Sequence, residues 1–199
     1  RSGAVAVSDL NTIDTSRGSS PKADSYVDEV DGYAAVIKAG TSITRYGMIV
    51  PGEDYVEKDI FEEMSGVAIQ KGDVLIASTG TGTLGKVGVY DLNIPGIADG
   101  HVTIVRPNTK KIDPYYLADY LRVGGGAVQI DRLYTGSTGL IELTPEDVDR
   151  ILIDTLGDDL KKQRELSRNL RKAEANFQQA VSGANEVLTL ARGSFLMPG

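Results

Sequence analysis

Gly80, Gly82, Gly85 and Lys86 are the residues of this chain whose types and spacing most suggest chemistry. Gly80-x-x-x-x-Gly85-Lys86 satisfies all but the last position of a phosphate-binding P-loop, and Gly80-x-Gly82-x-x-Gly85 satisfies a dinucleotide fingerprint. Either would define an enzyme that uses a nucleotide. Both need the glycine loop to open a helix, because unpaired amides at a helix N-terminus hold the phosphate. Lys86 is followed instead by Val87-Gly-Val-Tyr90, a period of two, and Gly88, Pro95 and Gly96 oppose a helix. Val87 stands where a P-loop needs a hydroxyl for magnesium. The pattern predicts two strands, 74–78 and 87–90, joined by a glycine- and threonine-rich hairpin loop. A P-loop-like nucleotide-binding enzyme using Gly80 to Lys86 is the alternative reading.

Other catalytic constellations are thin. The chain has no cysteine, which excludes disulfides and thiolate metal sites, and its single histidine, His101, excludes a histidine metal cluster. Asp54, Glu57 and Lys58 lack the acid-x-lysine spacing of common nuclease sites and read as a solvated acidic face. No methyltransferase motif appears. No catalysis, cofactor or metal is expected.

At 199 residues, with 41% hydrophobic and 25% charged residues, the chain has the composition of a soluble globular protein. No apolar run approaches a membrane span and no signal segment is visible, so a cytoplasmic location is expected. The net charge of −7 opposes tight, unassisted binding to nucleic acid. Residues 158–192 carry seven Lys/Arg and five Asp/Glu, a net of +2, so residues 1–157 carry −9. Between residues 71 and 138 the balance is seven basic to six acidic, which leaves room for a nucleic-acid surface without announcing one.

Elements follow from punctuation and period. Short strands are expected near 3–7, 33–38, 47–50, 101–106 and 151–153, and a brief helix over 59–64 ended by Gly66. Asp113-Pro114 starts a helix with an N-cap and a proline at its first position; it runs to Val123 and stops at Gly124-Gly125-Gly126. A loop follows over 134–139. Thr144 caps another helix, with Asp147 at the capping-box position.

The C-terminal segment differs in kind. Leu166, Leu170, Ala173, Phe177, Ala180, Ala184, Val187 and Ala191 are spaced 4-3-4-3-4-3-4, an a/d seam with a period of 3.5. A helix over 158–193 is predicted, on the order of 50 Å long, with 194–199 as a tail. The period favours pairing with a partner helix over packing on its own domain. A coiled-coil scaffold without nucleic-acid binding is a further reading of this segment.

Taken in order, these pieces resemble a known family. The pattern comprises Gly18-x-x-Pro21, Lys71-Gly72-Asp73-Val-Leu-Ile76, the Gly80-x-x-x-Leu84-Gly85-Lys86 hairpin, the 114–121 helix Pro-Tyr-Tyr-Leu-Ala-Asp-Tyr-Leu, the Gly136 to Gly139 loop, Leu143-Thr-Pro-Glu-Asp-Val148 and Leu160-x-x-Gln163. The chain resembles one target-recognition half of a specificity subunit of type I restriction–modification systems. It departs from that family's Ile-Pro-x-Pro strand before the long helix, carrying Ile153-Asp-Thr-Leu-Gly157.

The resemblance implies an α+β fold: a mixed, strand-rich target-recognition domain with short helices over 1–157, followed by a long coiled-coil-forming α-helix. It implies a non-catalytic module that recognises double-stranded DNA for a methyltransferase, with a restriction subunit as a further partner. Its long helix would pair with a second half unit or a second copy, as a homodimer. The chain then looks like a half subunit, an isolated fragment or the recognition end of a fused methyltransferase.

At such a DNA face Thr79, Thr81 and Thr83 offer hydroxyls and methyls, Lys86 adds charge, and the loop glycines let amides approach a phosphate. Arg132, Tyr134, Ser137 and Thr138 form a second candidate loop, with arginine able to pair guanine. Lys38, Arg45, Ser20 and Lys22 are candidate backbone contacts. His101 is read as structural.

Overall fold

The computed structural model of the chain describes residues 3–137 and 140–196. The N-terminal third contains β1 (Ala4–Ala6), α1 (Val7–Leu10), β2 (Ser16–Arg17), β3 (Ala34–Ile37), β4 (Tyr55–Val56), α2 (Lys58–Glu63) and β5 (Ala68–Ile69). The middle contains β6 (Val74–Ala77), β7 (Val87–Val89), β8 (Gly96–Ala98), β9 (Val102–Val105), α3 (Pro114–Val123) and α4 (Gly125–Leu133). Then come β10 (Thr135–Ser137), β11 (Leu140–Glu142), α5 (Pro145–Asp149), β12 (Leu152–Asp154) and α6 (Leu160–Leu196). This is a mixed α+β fold with a long C-terminal helix, as the sequence implied.

Side-chain alternation along the strands sorts them into layers. One four-stranded sheet has the order β2-β9-β6-β7 and is antiparallel; the other has the order β4-β3-β8-β5, with β3 and β8 parallel. On β6, Val74 and Ile76 face one way, into a core shared with Leu117 and Leu121 of α3 and Ile130 of α4. Leu75 and Ala77 face the other way, against Ala35 and Ile37 of β3 and Ala98 of β8. The opposite face of that second sheet, Ala34, Val36 and Ile97, is covered by Ile60, Phe61 and Met64 from α2 and its C-cap. The result is helix, sheet, sheet, helix. Leu75, Ile76, Leu117 and Leu121 are fully buried, each contributing about 1.5–3 kcal/mol by leaving water.

The 74–78/87–90 hairpin is present, with Val74 opposite Val89 and Ile76 opposite Val87. The helix at Pro114 begins as expected: the Asp113 carboxylate accepts from the amides of Tyr115 and Tyr116. The second cap is complete, because Thr144 accepts from the Asp147 amide at 3.2 Å and Asp147 accepts from the Thr144 amide at 3.2 Å.

Several expectations are corrected. Residues 47–50 form no strand; Gly47 sits in a turn at φ +74°, and Ile49 makes only an isolated bridge to Ile43. Gly124 to Gly126 is a helix–helix corner and not the start of a loop. α4 begins at once, and a Cβ on Gly126 would lie 2.8 Å from the Leu121 Cα. Arg132 therefore sits in the last turn of α4, not in a loop. Residues 134–137 open a β-hairpin. Gly66 lies inside a 3-10 turn, Ser65–Val67, and does not end α2. The long helix starts at Leu160, after Asp158 in the left-handed region at φ +62°, and runs through Gly193 to Leu196.

α6 leaves the domain across α3 on a polar seat. Gln163, fully buried, accepts from the Asp113 amide and donates to the Thr155 carbonyl, each at 2.8 Å. One turn further, Asp119 of α3 accepts from the Ser167 hydroxyl and from both arms of Arg171 at 3.1 Å. Arg122 bridges Asp119 at 3.0 Å and Glu174 at 2.7 Å. Burial works to lower the pKa of the Arg122 guanidinium, but its hydrogen bonds to Glu174 and Asp119 together raise it. Among the described residues no helix is long and apolar enough to cross a membrane.

Candidate nucleic-acid interface

The loop between β6 and β7 is a stack of turns. Gly80, Gly82 and Gly85 all sit between φ +84° and +88°, where a side chain is strained. This explains the glycine spacing without any nucleotide. The amides of Gly80, Thr83, Leu84, Gly85 and Lys86 donate to the carbonyls of Ile141, Gly80, Gly80, Ala77 and Thr83. A P-loop needs such amides free to hold phosphate, and these are spent on the loop itself. These five amides are equally unavailable to a DNA phosphate.

Side chains of the loop and its neighbours converge on a concavity of about 360 Å³, lined by Lys38, Thr41, Thr79, Thr83, Asp99 and His101. Thr79 Oγ1 lies 2.7 Å from His101 Nδ1. His101 is exposed, and its Nε2 has no partner among the described residues. The Thr83 hydroxyl is shared between the Thr79 and Gly80 carbonyls at 2.6 and 3.0 Å, which ties it to the loop. Thr81 is exposed at the tip. The Lys86 ammonium reaches toward the Gly40 carbonyl at 3.4 Å, a weak contact that leaves its charge for a phosphate.

Lys38 is bound by Asp54 at 2.8 Å and lies 4.8 Å over the Tyr26 ring. The Asp54 hydrogen bond outweighs burial and raises the Lys38 pKa. Ser20 sits beside Asp99 because Gly18 lets its segment lie flat on the β8–β9 turn. A Cβ on Gly18 would meet the Ala98 and Asp99 carbonyl oxygens at 2.3 Å. Ser20 Oγ accepts from the Gly100 amide at 3.2 Å and lies 3.4 Å from Asp99.

The β10–β11 arm stands against this loop. Thr79 bridges Glu142, and the Leu143 amide donates to the Ser78 carbonyl at 2.9 Å. Tyr134 and Ser137 are exposed on the arm and Arg132 is exposed at its root; Thr138 lies outside the described residues. Arg45 and Lys22 are exposed but do not line the concavity. The Arg45 carbonyl instead accepts from Arg122, toward the long helix.

The concavity also holds Asp99 and Thr41, which sequence reasoning did not single out, and His101, which it read as structural. His101 was the available signal: a lone imidazole after Asp99-Gly100 at a strand start, whose pairing with Thr79 needs the β6–β9 register.

Two packed sheets, a loop-lined edge beside the β10–β11 hairpin, and a long exit helix define the class of fold. The same arrangement recurs in solved type I restriction–modification proteins. A chain from a type I R-M system, solved in work on its complex assembly and conformational transition, matches at TM-score 0.61 and 16% identity, over 96% of this chain and 42% of that one. The HsdS subunit from Thermoanaerobacter tengcongensis matches at TM-score 0.58 and 18% identity, over 92% and 39%. A type I restriction–modification S subunit from M. genitalium matches at TM-score 0.57 and 12% identity, over 96% and 42%. The resemblance drawn from motifs is thus borne out as a shared fold. The chain spans about two fifths of the length of these solved chains. No protein-family profile matches the sequence, and no curated protein matches it.

Proposed function

We propose that this chain is a DNA-sequence recognition module that gives target specificity to a restriction–modification methyltransferase and has no catalysis of its own. One observation carries the reading. In a chain with the fold of type I specificity subunits, the glycine loop, His101 and the β10–β11 arm share one edge, with hydroxyl, imidazole, ammonium and guanidinium groups exposed there. Such groups read base edges and phosphates. The partners are double-stranded DNA, the methyltransferase subunits and, in a full complex, a restriction subunit, all in the cytoplasm. The residues before α6 act as the recognition domain and α6 as spacer and dimerisation element, through Leu166, Leu170, Ala173, Phe177, Ala180, Ala184, Val187 and Ala191.

The test is selection of randomised duplex DNA by the chain mixed with its methyltransferase subunit. A defined sequence preference is expected. Lys86→Ala should weaken binding to all sequences alike and lower the salt slope by about one, while His101→Ala should change which bases are preferred. Absence of any preference would remove the reading. The nucleotide alternative has lost its amides to internal hydrogen bonds. Tight magnesium–ATP binding abolished by Lys86→Ala would nevertheless reinstate it.

A further inference from the structure

α6 carries a second surface that DNA reading does not use. Lys161, Arg164, Arg168 and Arg171 recur at 3-4-3 spacing and line a cavity of about 500 Å³ between the root of α6 and the start of α3. They form one stripe about 15 Å long. The Tyr115 ring lines the same cavity, with the Arg171 guanidinium 4.5 Å from its centroid.

Among the residues lining the cavity, four are cationic and one is a carboxylate. That carboxylate, Asp113, is already committed to the α3 cap and to Arg164 at 3.2 Å. Arg171 is held by Asp119. Lys161 and Arg168 are exposed and enter no ion pair among the described residues. Like charges at i,i+3 and i,i+4 repel along a helix. A protein of net charge −7 that concentrates them on one face has a place for an anion.

The occupant follows from position and shape. The Tyr115 hydroxyl donates to Asp91 at 2.9 Å, just past the C-terminal end of β7, whereas the glycine loop joins the N-terminal end of the same strand. Cavity and glycine loop therefore lie toward opposite ends of β7. On a helical wheel the stripe is also about half a turn from Leu166, Leu170, Ala173 and Phe177, so pairing through that seam leaves it open. A stiff duplex cannot enter a concavity of this size, but side chains of a peptide can. We propose that the cavity receives an acidic segment of a partner protein, with carboxylates on Lys161 and Arg168 and an apolar or aromatic side chain against Tyr115. This site is independent of the DNA edge.

The probe is a labelled peptide alternating glutamate with tyrosine, followed by fluorescence anisotropy on the full chain. Its control has glutamine in place of glutamate. The glutamate peptide should bind, weaken with salt, and lose roughly tenfold or more in affinity (about 1.4 kcal/mol or more) on the double substitution Lys161→Glu and Arg168→Glu. Both side chains are exposed and unpaired by carboxylates, so the circular dichroism spectrum and the DNA preference should not change. Equal binding by the glutamine peptide, or by the doubly substituted chain, overturns the proposal. So does a short duplex that displaces the peptide and whose own binding is lost in the same variant, because the occupant is then nucleic acid. Failure of peptide binding with DNA selectivity intact would leave the proposed function standing.

Discussion

Asp119 decides how the long helix is held. Its carboxylate is 4% exposed and serves Arg122, Arg171 and the Ser167 hydroxyl together. A buried charge network adds little stability compared with an apolar replacement, but removing one member strands the others. Asp119→Ala leaves Arg122, whose side chain is only 4% exposed, with Glu174 as its one remaining carboxylate among the described residues, and removes the ion pair of Arg171. Stability should fall by about 3–5 kcal/mol, measured as the shift in urea midpoint by circular dichroism. Asp119→Asn, which keeps the shape and part of the hydrogen bonding, should cost less. A midpoint unchanged by Asp119→Ala would mean that the helix is seated by something other than this network.

At the scale of elements, α6 separates what hydrophobic pattern reveals from what it hides. The seam was legible because apolar residues recur every 3.5 positions, and its members are indeed unsatisfied by the chain's own domain: Phe177 is 61% exposed and Val187 68%. The face that does touch the domain, Gln163, Ser167, Arg171 and Glu174, is polar and therefore silent to a hydrophobic reading. Caps made α3 and α5 readable, and alternation made β6 and β9 readable. β2, β4 and β5 are two residues each, too short for any period to register, and α4 was obscured by opening on Gly125-Gly126. The site was half legible. Thr79 and Lys86 stand out by type, but the meeting of Thr79 with His101 depends on sheet register. If the seam pairs helices, Phe177→Asp with Leu170→Asp should convert the chain to a monomer by light scattering at micromolar concentration. The domain's melting should be nearly unchanged, because Phe177 is largely exposed and Leu170 only partly buried. A monomer before substitution would remove the premise.

For the whole molecule, the proposed function gives one domain a recognition edge and a long helix, and the charge is divided between them: −9 over residues 1–157 and +2 over 158–192. An acidic domain binds DNA weakly alone, so two linked copies gain from acting together, with the second contact made at high effective concentration. Antiparallel pairing through the seam would set two recognition edges at opposite ends of a twofold assembly, and a twofold protein reads an inverted repeat. The separation of the half-sites is then fixed by helix length. Inserting one heptad into α6 beyond Gln178, where the helix is exposed on every side, preserves the seam's register. It moves the two domains apart by about 10 Å. At about 3.4 Å per base pair, selected DNA should keep both half-sites and lengthen the spacer between them by about three base pairs. A two-residue insertion turns the seam by about 200°, onto the opposite face of the helix, and should abolish pairing and bipartite selection together. A spacer unchanged by the heptad would show that the helices do not measure the distance between the half-sites.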